Sequence, residues 1–510
     1  MSTITRDRSE RPGRRRLPRR RAMAVSAVVM AGLQASTGLS AARADRQPAG
    51  AKLDWHLCAS AAKEWPIKDD TRTECAELTV PLDYGKPEGR KITLAVSRVR
   101  ASDPTARATP LAFVLGGPSF SNISDPASAT RRGLGSLNTR HDFVGLDLRG
   151  TGYSDHVSCD SPQLPEPAPT TPEKDVLKAA FASQAEFNTR CAAADPDFVR
   201  QLTPENVARD IDRLRSALGS RKVNFYGASF GTAVGMAYRS LFDARTERMW
   251  LDSVMPPTRH WPTMDGATEA VGEEAVASFV AWLARHDATY RLGADETGVR
   301  RRLGTLRNDL DKEPRVSGDT RLDGNWVAGQ VARPRDEWSD AARSLVAVLK
   351  GGAPPTEPTA EAPTARRRPV FGLGGPRSGP NYLQYNAVFC NADASSRDFE
   401  ALWAAREARR RADPLTGGTQ FSVWCADWPL DSPAVTPSRG DSALQLSGHL
   451  YEGVTPYAWA EQAKVATGGA LLTVLDDGHA SLPSSPCAEK AVTFFRTGRK
   501  AEGTCRSAAD

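Results

Sequence analysis

The stretch NFYGASFGTAVGMAYRS, residues 224 to 240, constrains this chain more than any other. It sets Gly227-Ala-Ser229-Phe-Gly231 between a short apolar run and a segment with helical periodicity. A strand that passes at once into a helix must turn sharply, and glycines on either side leave room for the turn. The pattern Gly-x-Ser-x-Gly does this, holding the serine in a strained conformation with its oxygen exposed above a parallel sheet. Ser229 is therefore a candidate nucleophile. A chain with 41 glycines also produces such a match by chance, so the surroundings must supply a base, an acid and oxyanion donors.

Those surroundings alternate strands with helices. AELTVPLDY and KITLAVSRVRA read as two early strands, PLAFVLGG as a buried strand ending in glycines, and HDFVGLDLRGTGYSD as a strand entering a tight loop. TPENVARDIDRLRSALG is a predicted helix, with Thr203 as cap, Glu205 in the first turn and Gly219 at the end. KVNFYG leads into the Ser229 turn, and RMWLDSV follows as a further strand. The alternation predicts a parallel sheet with helices on both faces. From about 260 to 400 the pattern changes. ATEAVGEEAVASFVAWLARH and SDAARSLVAVLKG are helical with no clear strand between them, and residues 351–380 form a Pro/Ala/Gly-rich loop with a basic clip. Strands return in SALQLSG and ALLTVLDDGHA, with helix YAWAEQAKVA between them and a terminal helix after. The expected architecture is α/β: a doubly wound, mostly parallel sheet in two parts, 45–259 and 401–510, interrupted by a helical insertion at 260–400.

Ten arginines face only Asp7 and Glu10 in residues 1–44, a surplus larger than the formal +6 of the whole chain, so the remainder is slightly acidic. No basic face for nucleic acid is implied. RRRLPRRR, the apolar run AMAVSAVVMAGLQA and an Ala-Arg-Ala ending at Ala44 read as an export signal. Arg20 and Arg21 fit either a twin-arginine or an ordinary secretory route. The apolar run is too short for a permanent membrane anchor, and no cysteine for lipid attachment lies near the cleavage point. The mature protein is expected outside the cytoplasm. Eight cysteines, an even number, point to disulfides there. Connectivity stays open from sequence, and four consecutive local pairs are the simplest arrangement: Cys58–Cys75, Cys159–Cys191, Cys390–Cys425 and Cys487–Cys505. No Cys-x-x-Cys or Cys/His cluster points to zinc, and this reading requires neither metal nor cofactor.

His479, in LDDGHASLP just past the last predicted strand, is the favoured base among seven histidines. A loop beyond a late strand is where a doubly wound hydrolase keeps its histidine, and the order nucleophile, acid, histidine fits that class. The loop HLYEGVTPYAW after the preceding strand holds one carboxylate, Glu452, the expected acid that fixes the imidazole tautomer and stabilises its charged form. Asp476 and Asp477 stand almost beside His479 and suit a turn. The oxyanion donors are expected to be the backbone amides of Phe230, next after the nucleophile, and Gly117, with Gly116 as the alternative, in VLGGPSF.

Together CAELTVPLDYGKP, GGP, GLDLRGTGYSD, YGASFGT, LDSVMPP, CADWP, VTPY and DGHA, spread from about Trp55 to Cys505, carry a resemblance. The chain resembles the secreted tripeptidyl aminopeptidases and mycelium-associated serine proteinases of actinomycetes, within the α/β-hydrolase superfamily. The resemblance implies a hydrolase core, a helical cap, a Cys-rich carboxyl segment and release of short peptides from free amino termini. It carries the family's nucleophile to Ser229, its histidine to His479 and its glycine-loop donor to Gly117. There are departures. Relatives read Gly-Gly-Pro-Gly-Gly-Ser-Gly where this chain has GGPSFSNIS, so Ser119 and Phe120 bring bulk toward the cleft. Aligned on VTP, Glu452 stands where relatives carry aspartate. WLARHDATYRLG lacks a cysteine pair that many relatives carry in the first cap helix region.

Peptides are thus the expected partners. Glu269, Glu273 and Glu274 are candidates to meet a substrate ammonium, although a solvated helix face is the better account of any one of them. An esterase or a proline-specific aminopeptidase would use the same chemistry with another pocket. A non-catalytic binding protein is the reading from a different class, motivated by the altered glycine loop and the substituted acid.

Overall fold

The computed structural model describes residues 53–106, 108–163, 168–318, 320–333, 337–355, 381–393 and 397–506. The expected export signal and most of the loop at 351–380 lie outside the described residues.

Among the described residues twelve strands follow in chain order: β1 (His56–Leu57), β2 (Thr73–Pro81), β3 (Lys91–Val99), β4 (Leu111–Val114), β5 (Phe143–Leu146), β6 (Val223–Ser229), β7 (Thr246–Val254), β8 (Arg315–Ser317), β9 (Thr320–Leu322), β10 (Ala443–His449), β11 (Ala470–Leu475) and β12 (Gly503–Arg506). Ten of them build one sheet in the order β1-β2-β3-β5-β4-β6-β7-β10-β11-β12. Pairing is antiparallel from β1 to β5 and parallel from β5 to β12. The order jumps at β5-β4-β6, so the carboxyl ends of β4, β6, β7, β10 and β11 open on one edge of the sheet. Ligands of open α/β sheets bind beyond such an edge.

The central strands are apolar on both faces because helices cover both. Alternate residues divide between two cores, as the period of two in a strand requires. Val114, Phe225, Leu251 and Leu446 join one core, while Phe113, Tyr226, Trp250 and Leu472 join the other. Burying a large apolar side chain of this kind contributes about 1.5–3 kcal/mol. The helix Pro204–Ala217 packs Val207, Ile211 and Leu214 into the first core, and Thr203 caps it by accepting from the Asn206 amide at 3.2 Å.

Between β7 and β10 the chain is mainly helical, and Val276, Phe279, Leu303, Val327, Trp338 and Leu345 form a core of its own there. The expected absence of strands in this stretch is corrected by the hairpin β8–β9. Its RVS and TRL segments are too short and too polar to show an alternation in sequence. Helix Tyr382–Cys390 leaves this third core and packs Leu383, Ala387 and Phe389 on the sheet. The run read as ATEAVGEEAVASFVAWLARH falls into two helices, Trp261–Val271 and Glu273–Arg285, separated at Gly272. Glycine inside a helix costs about 1 kcal/mol relative to alanine, so a break there is cheap.

The bridges Cys58–Cys75, Cys159–Cys191, Cys390–Cys425 and Cys487–Cys505 are all closed. Closing loops of these lengths stabilises a fold by about 3–4 kcal/mol each in the chain-entropy account.

Candidate active site

β6 ends at Ser229 and the next helix, Phe230–Phe242, begins with no residue between them. Ser229 carries the turn at φ 55°, ψ −128°, a conformation that costs a non-glycine residue of order 1–3 kcal/mol. The flanking glycines are steric necessities. A Cβ at Gly231 would sit 1.7 Å from the Val114 carbonyl oxygen on β4, and one at Gly227 would sit 2.8 Å from the Gly231 carbonyl oxygen. The turn is braced by Thr232, whose hydroxyl donates to the Ser229 carbonyl at 2.7 Å and accepts from the Met255 amide at 2.8 Å. The Ser229 hydroxyl makes no hydrogen bond among the described residues. It lies against the glycine loop, where a Cβ at Gly116 would come within 3.1 Å of its oxygen.

Ser229, Gly117 and Phe230 line one cavity of about 270 Å³. The Phe230 amide belongs to the first turn of its helix, where an N–H has no intrahelical acceptor. Gly117 holds φ 133°, a region that favours glycine. The loop after it is anchored by a residue that sequence reading passed over. Buried Asp147 accepts from the Ser121 hydroxyl (2.7 Å) and from the amides of Asn122 (2.7 Å), Ile123 (2.9 Å) and Tyr153 (2.8 Å). Burial raises its pKa, and these bonds oppose the rise. Neither Ser119 nor Phe120 is among the residues lining the cavity, and the Ser119 carbonyl instead accepts from the Asn381 amide at 3.0 Å.

On the other side of the sheet edge, the loops after β10 and β11 bring Glu452 and His479 together. The His479 Nδ1 donates to Glu452 Oε1. Glu452 is 1% exposed, and its carboxylate is held by further donors: the Thr455 amide (3.0 Å) and hydroxyl (2.6 Å) on Oε1, and the Ser253 hydroxyl (2.8 Å) on Oε2. Ser253 also accepts from the Ala480 amide at 2.8 Å, so one hydroxyl ties the acid to the histidine loop. The His479 side chain is about a quarter exposed, and its Nε2 has no hydrogen-bond partner among the described residues. The structure thus brings Glu452 to His479 and Ser229 to the glycine loop, with no hydrogen bond joining Ser229 to His479. Hydroxyl–imidazole contacts of this kind are often loose without substrate.

Asp476 has another partner. It meets His449 Nδ1 at 2.5 Å, while Asp252 meets His449 Nε2 at 3.0 Å. His449 is fully buried. Burial alone would lower its pKa, but the Asp252 charge and the bonds to Asp252 and Asp476 push it up to about 9.

The proposed ammonium acceptors are engaged elsewhere. Glu269 pairs with Arg409 at 3.0 Å, Glu273 pairs with Arg300, and neither lines the cavity. The Glu274 side chain lies outside the described residues. Among the described residues the carboxylate that does line the cavity is Asp265, which sequence reading missed. Among the described residues no cluster of three or more His, Cys, Asp or Glu is arranged to hold a metal ion, and no helix is long and apolar enough to cross a membrane.

Comparison with known proteins agrees with this layout. A sequence model described as alpha/beta hydrolase fold matches residues 116–359, and one described as TAP-like protein matches residues 415–505. The chain is an enzyme of the α/β-hydrolase superfamily. It is 29% identical to a tripeptidyl aminopeptidase of Streptomyces lividans over 90% of this chain and 87% of that one. It is also 29% identical to a serine protease of Mycobacterium tuberculosis over 54% of this chain and 53% of that one. A carboxylesterase B of Mycobacterium tuberculosis is 25% identical, with 82% and 83% covered. Within the superfamily the chain belongs to the tripeptidyl aminopeptidase family of serine peptidases.

Proposed function

We propose that this protein is an extracellular serine exopeptidase that releases units of two or three residues from free amino termini through an acyl-enzyme. The observation that carries the reading is the Glu452–His479 contact at the strand edge where Ser229 holds its positive-φ turn. Ser229 Oγ turns from the glycine loop, attacks the scissile carbonyl and gives its proton to His479 Nε2. Nδ1–H stays on Glu452, which stabilises the imidazolium and fixes the tautomer. The tetrahedral oxyanion receives the N–H groups of Phe230 and Gly117. His479 returns the proton to the leaving amine, and water attacks the acyl-enzyme by the same steps reversed.

Four closed bridges support an oxidising location, in keeping with the arginine-rich leader. The tripeptidyl aminopeptidase relative supports peptide over ester substrates, and the carboxylesterase relative motivates ester hydrolysis as the second reading. The test is fluorophosphonate labelling of Ser229, followed by kcat/KM on paired free and N-acetylated tripeptide chromogenic substrates and on short-chain esters. Labelling with preferred cleavage of the free peptides is expected. Faster ester turnover than peptide turnover would transfer the assignment to the esterase reading. Equal rates on free and blocked peptides would remove the exopeptidase claim.

A further inference from the structure

The cavity that holds Ser229 has an unusual floor. Asp265, on helix Trp261–Val271, is 5% exposed and is the one carboxylate among the described residues that line the cavity. Its Oδ1 accepts from the Ser422 hydroxyl at 2.6 Å and its Oδ2 from the Ser422 amide at 3.0 Å. The nearest cation, Arg409, stands 3.9 Å away and is drawn to Glu269 at 3.0 Å. Among the described residues two carboxylates thus share one guanidinium, and this group carries a net negative charge beside the cavity. Burial raises the Asp265 pKa, with the Ser422 bonds opposing the rise, as expected of a carboxylate short of countercharge.

Aromatic faces complete the setting. Trp261, Tyr385 and Trp424 all line the cavity, with Trp261–Tyr385 and Tyr385–Trp424 ring centroids 6.5 and 5.2 Å apart. The buried Trp261 Nε1 has no hydrogen-bond partner among the described residues. Aromatic faces beside a carboxylate attract a cation that has left water, and an indole N–H can serve a peptide carbonyl.

We propose that Asp265, with the rings of Trp261, Tyr385 and Trp424, is the subsite for the substrate's α-ammonium group, an inference that rests on the exopeptidase reading and names the residue that recognises the free terminus. The cavity's size fits a short acyl chain. A sphere of its volume is roughly 8 Å across, the reach of about two extended residues at ~3.3–3.6 Å each. An ammonium held at Asp265 would therefore measure the distance to Ser229 in units of very few residues.

The test is Asp265→Asn, which keeps the shape and removes the charge. Fluorophosphonate labelling of Ser229 should continue at the wild-type rate. On free tripeptide substrates kcat/KM should fall about ten- to a hundredfold, the effect of one charge-assisted contact. On their N-acetylated counterparts it should stay unchanged, so the preference for free termini collapses. Ser422→Ala leaves the charge and removes only the hydroxyl bond, and it should keep the preference. An unchanged preference in Asp265→Asn, or a parallel loss on both substrates in both variants, would overturn the proposal while leaving the exopeptidase reading intact. The wild-type enzyme gives a readout that needs no variant. Its kcat/KM on a free peptide should fall above about pH 8, where the substrate amine loses its proton, relative to that on the acetylated peptide. Parallel profiles would refute recognition of the cation. No preference in the wild-type enzyme would defeat both readings together.

Discussion

Two histidines stand at the ends of adjacent strands, each against carboxylate, and their surroundings give them opposite capacities. His449 closes β10, fully buried, with Asp476 on one nitrogen and Asp252 on the other. His479 follows β11, partly exposed, with Glu452 on one nitrogen and the other without a partner among the described residues. An imidazole between two carboxylates donates from both nitrogens and is held in its charged form. It has no lone pair to offer. One with a single carboxylate keeps an acceptor. The difference shows that a histidine–carboxylate contact does not by itself mark a base; the second nitrogen decides. His449 instead joins the ends of β7, β10 and the segment after β11, from which Ser253, Glu452 and His479 project.

The sharpest way to break this comparison is to exchange the losses. Ser229→Ala and His479→Ala should each lower kcat by about 10⁶, and the double variant should be little worse, because such residues act as a unit. Single-turnover kinetics would check this, and a comparable loss in His449→Gln would exchange the roles assigned to the two histidines. Glu452→Gln should lower kcat by about 10⁴ with the circular dichroism unchanged, since the amide favours the wrong tautomer of His479. Near-normal turnover would mean that the acid lies elsewhere.

His449→Gln should show itself in stability. Removing the cation leaves the buried Asp252 and the part-exposed Asp476 without their countercharge, at a cost of about 3–5 kcal/mol, read from the urea midpoint and slope. The pH dependence has a definite sign. His449 has its folded pKa raised to about 9, above an unfolded value of about 6.5. Its contribution is therefore fully present below pH ~6.5 and is lost as pH rises toward and through ~9. Urea midpoints between pH 6 and 9.5 should fall for the wild type, and that component should be missing in His449→Gln. The smallest effect expected is from Ser253→Ala, which cuts the hydroxyl link between Glu452 and the Ala480 amide. A loss of about ten- to a hundredfold in kcat/KM matches one hydrogen bond to a charged group. A change confined to KM would show that Ser253 does not position the acid.

What the sequence disclosed was what local geometry dictates. The clash that a Cβ would make at Gly231 is a property of a strand–turn–helix, so the nucleophile turn is written in five residues. Glu452 and His479 were legible because each follows a strand in a class with a fixed chain order. The His449 cluster was not, since Asp252 and Asp476 meet it only when β7 and β11 flank β10 in the sheet. Asp265 was hidden by its neighbours. Residues 265, 269 and 273 recur at one-turn spacing, and nothing local says that Arg409 and Arg300, from distant segments, occupy Glu269 and Glu273 and leave Asp265 at the cavity. The hairpin β8–β9 left no pattern because three-residue strands are too short to have one.

The bridge between Cys390 and Cys425 sits at an informative place. Each cysteine directly follows a cavity-lining aromatic, Phe389 and Trp424. One covalent link thereby fastens two walls of the cavity beside Ser229, while Ser229, Glu452 and His479 stand at strand ends that this link does not join. On the proposed function, the thiol balance of the medium consequently bears on molecular discrimination before it bears on bond breaking. On that proposed function, a reducing medium would leave Ser229 in its turn and release the link between the two cavity walls that carry Phe389 and Trp424.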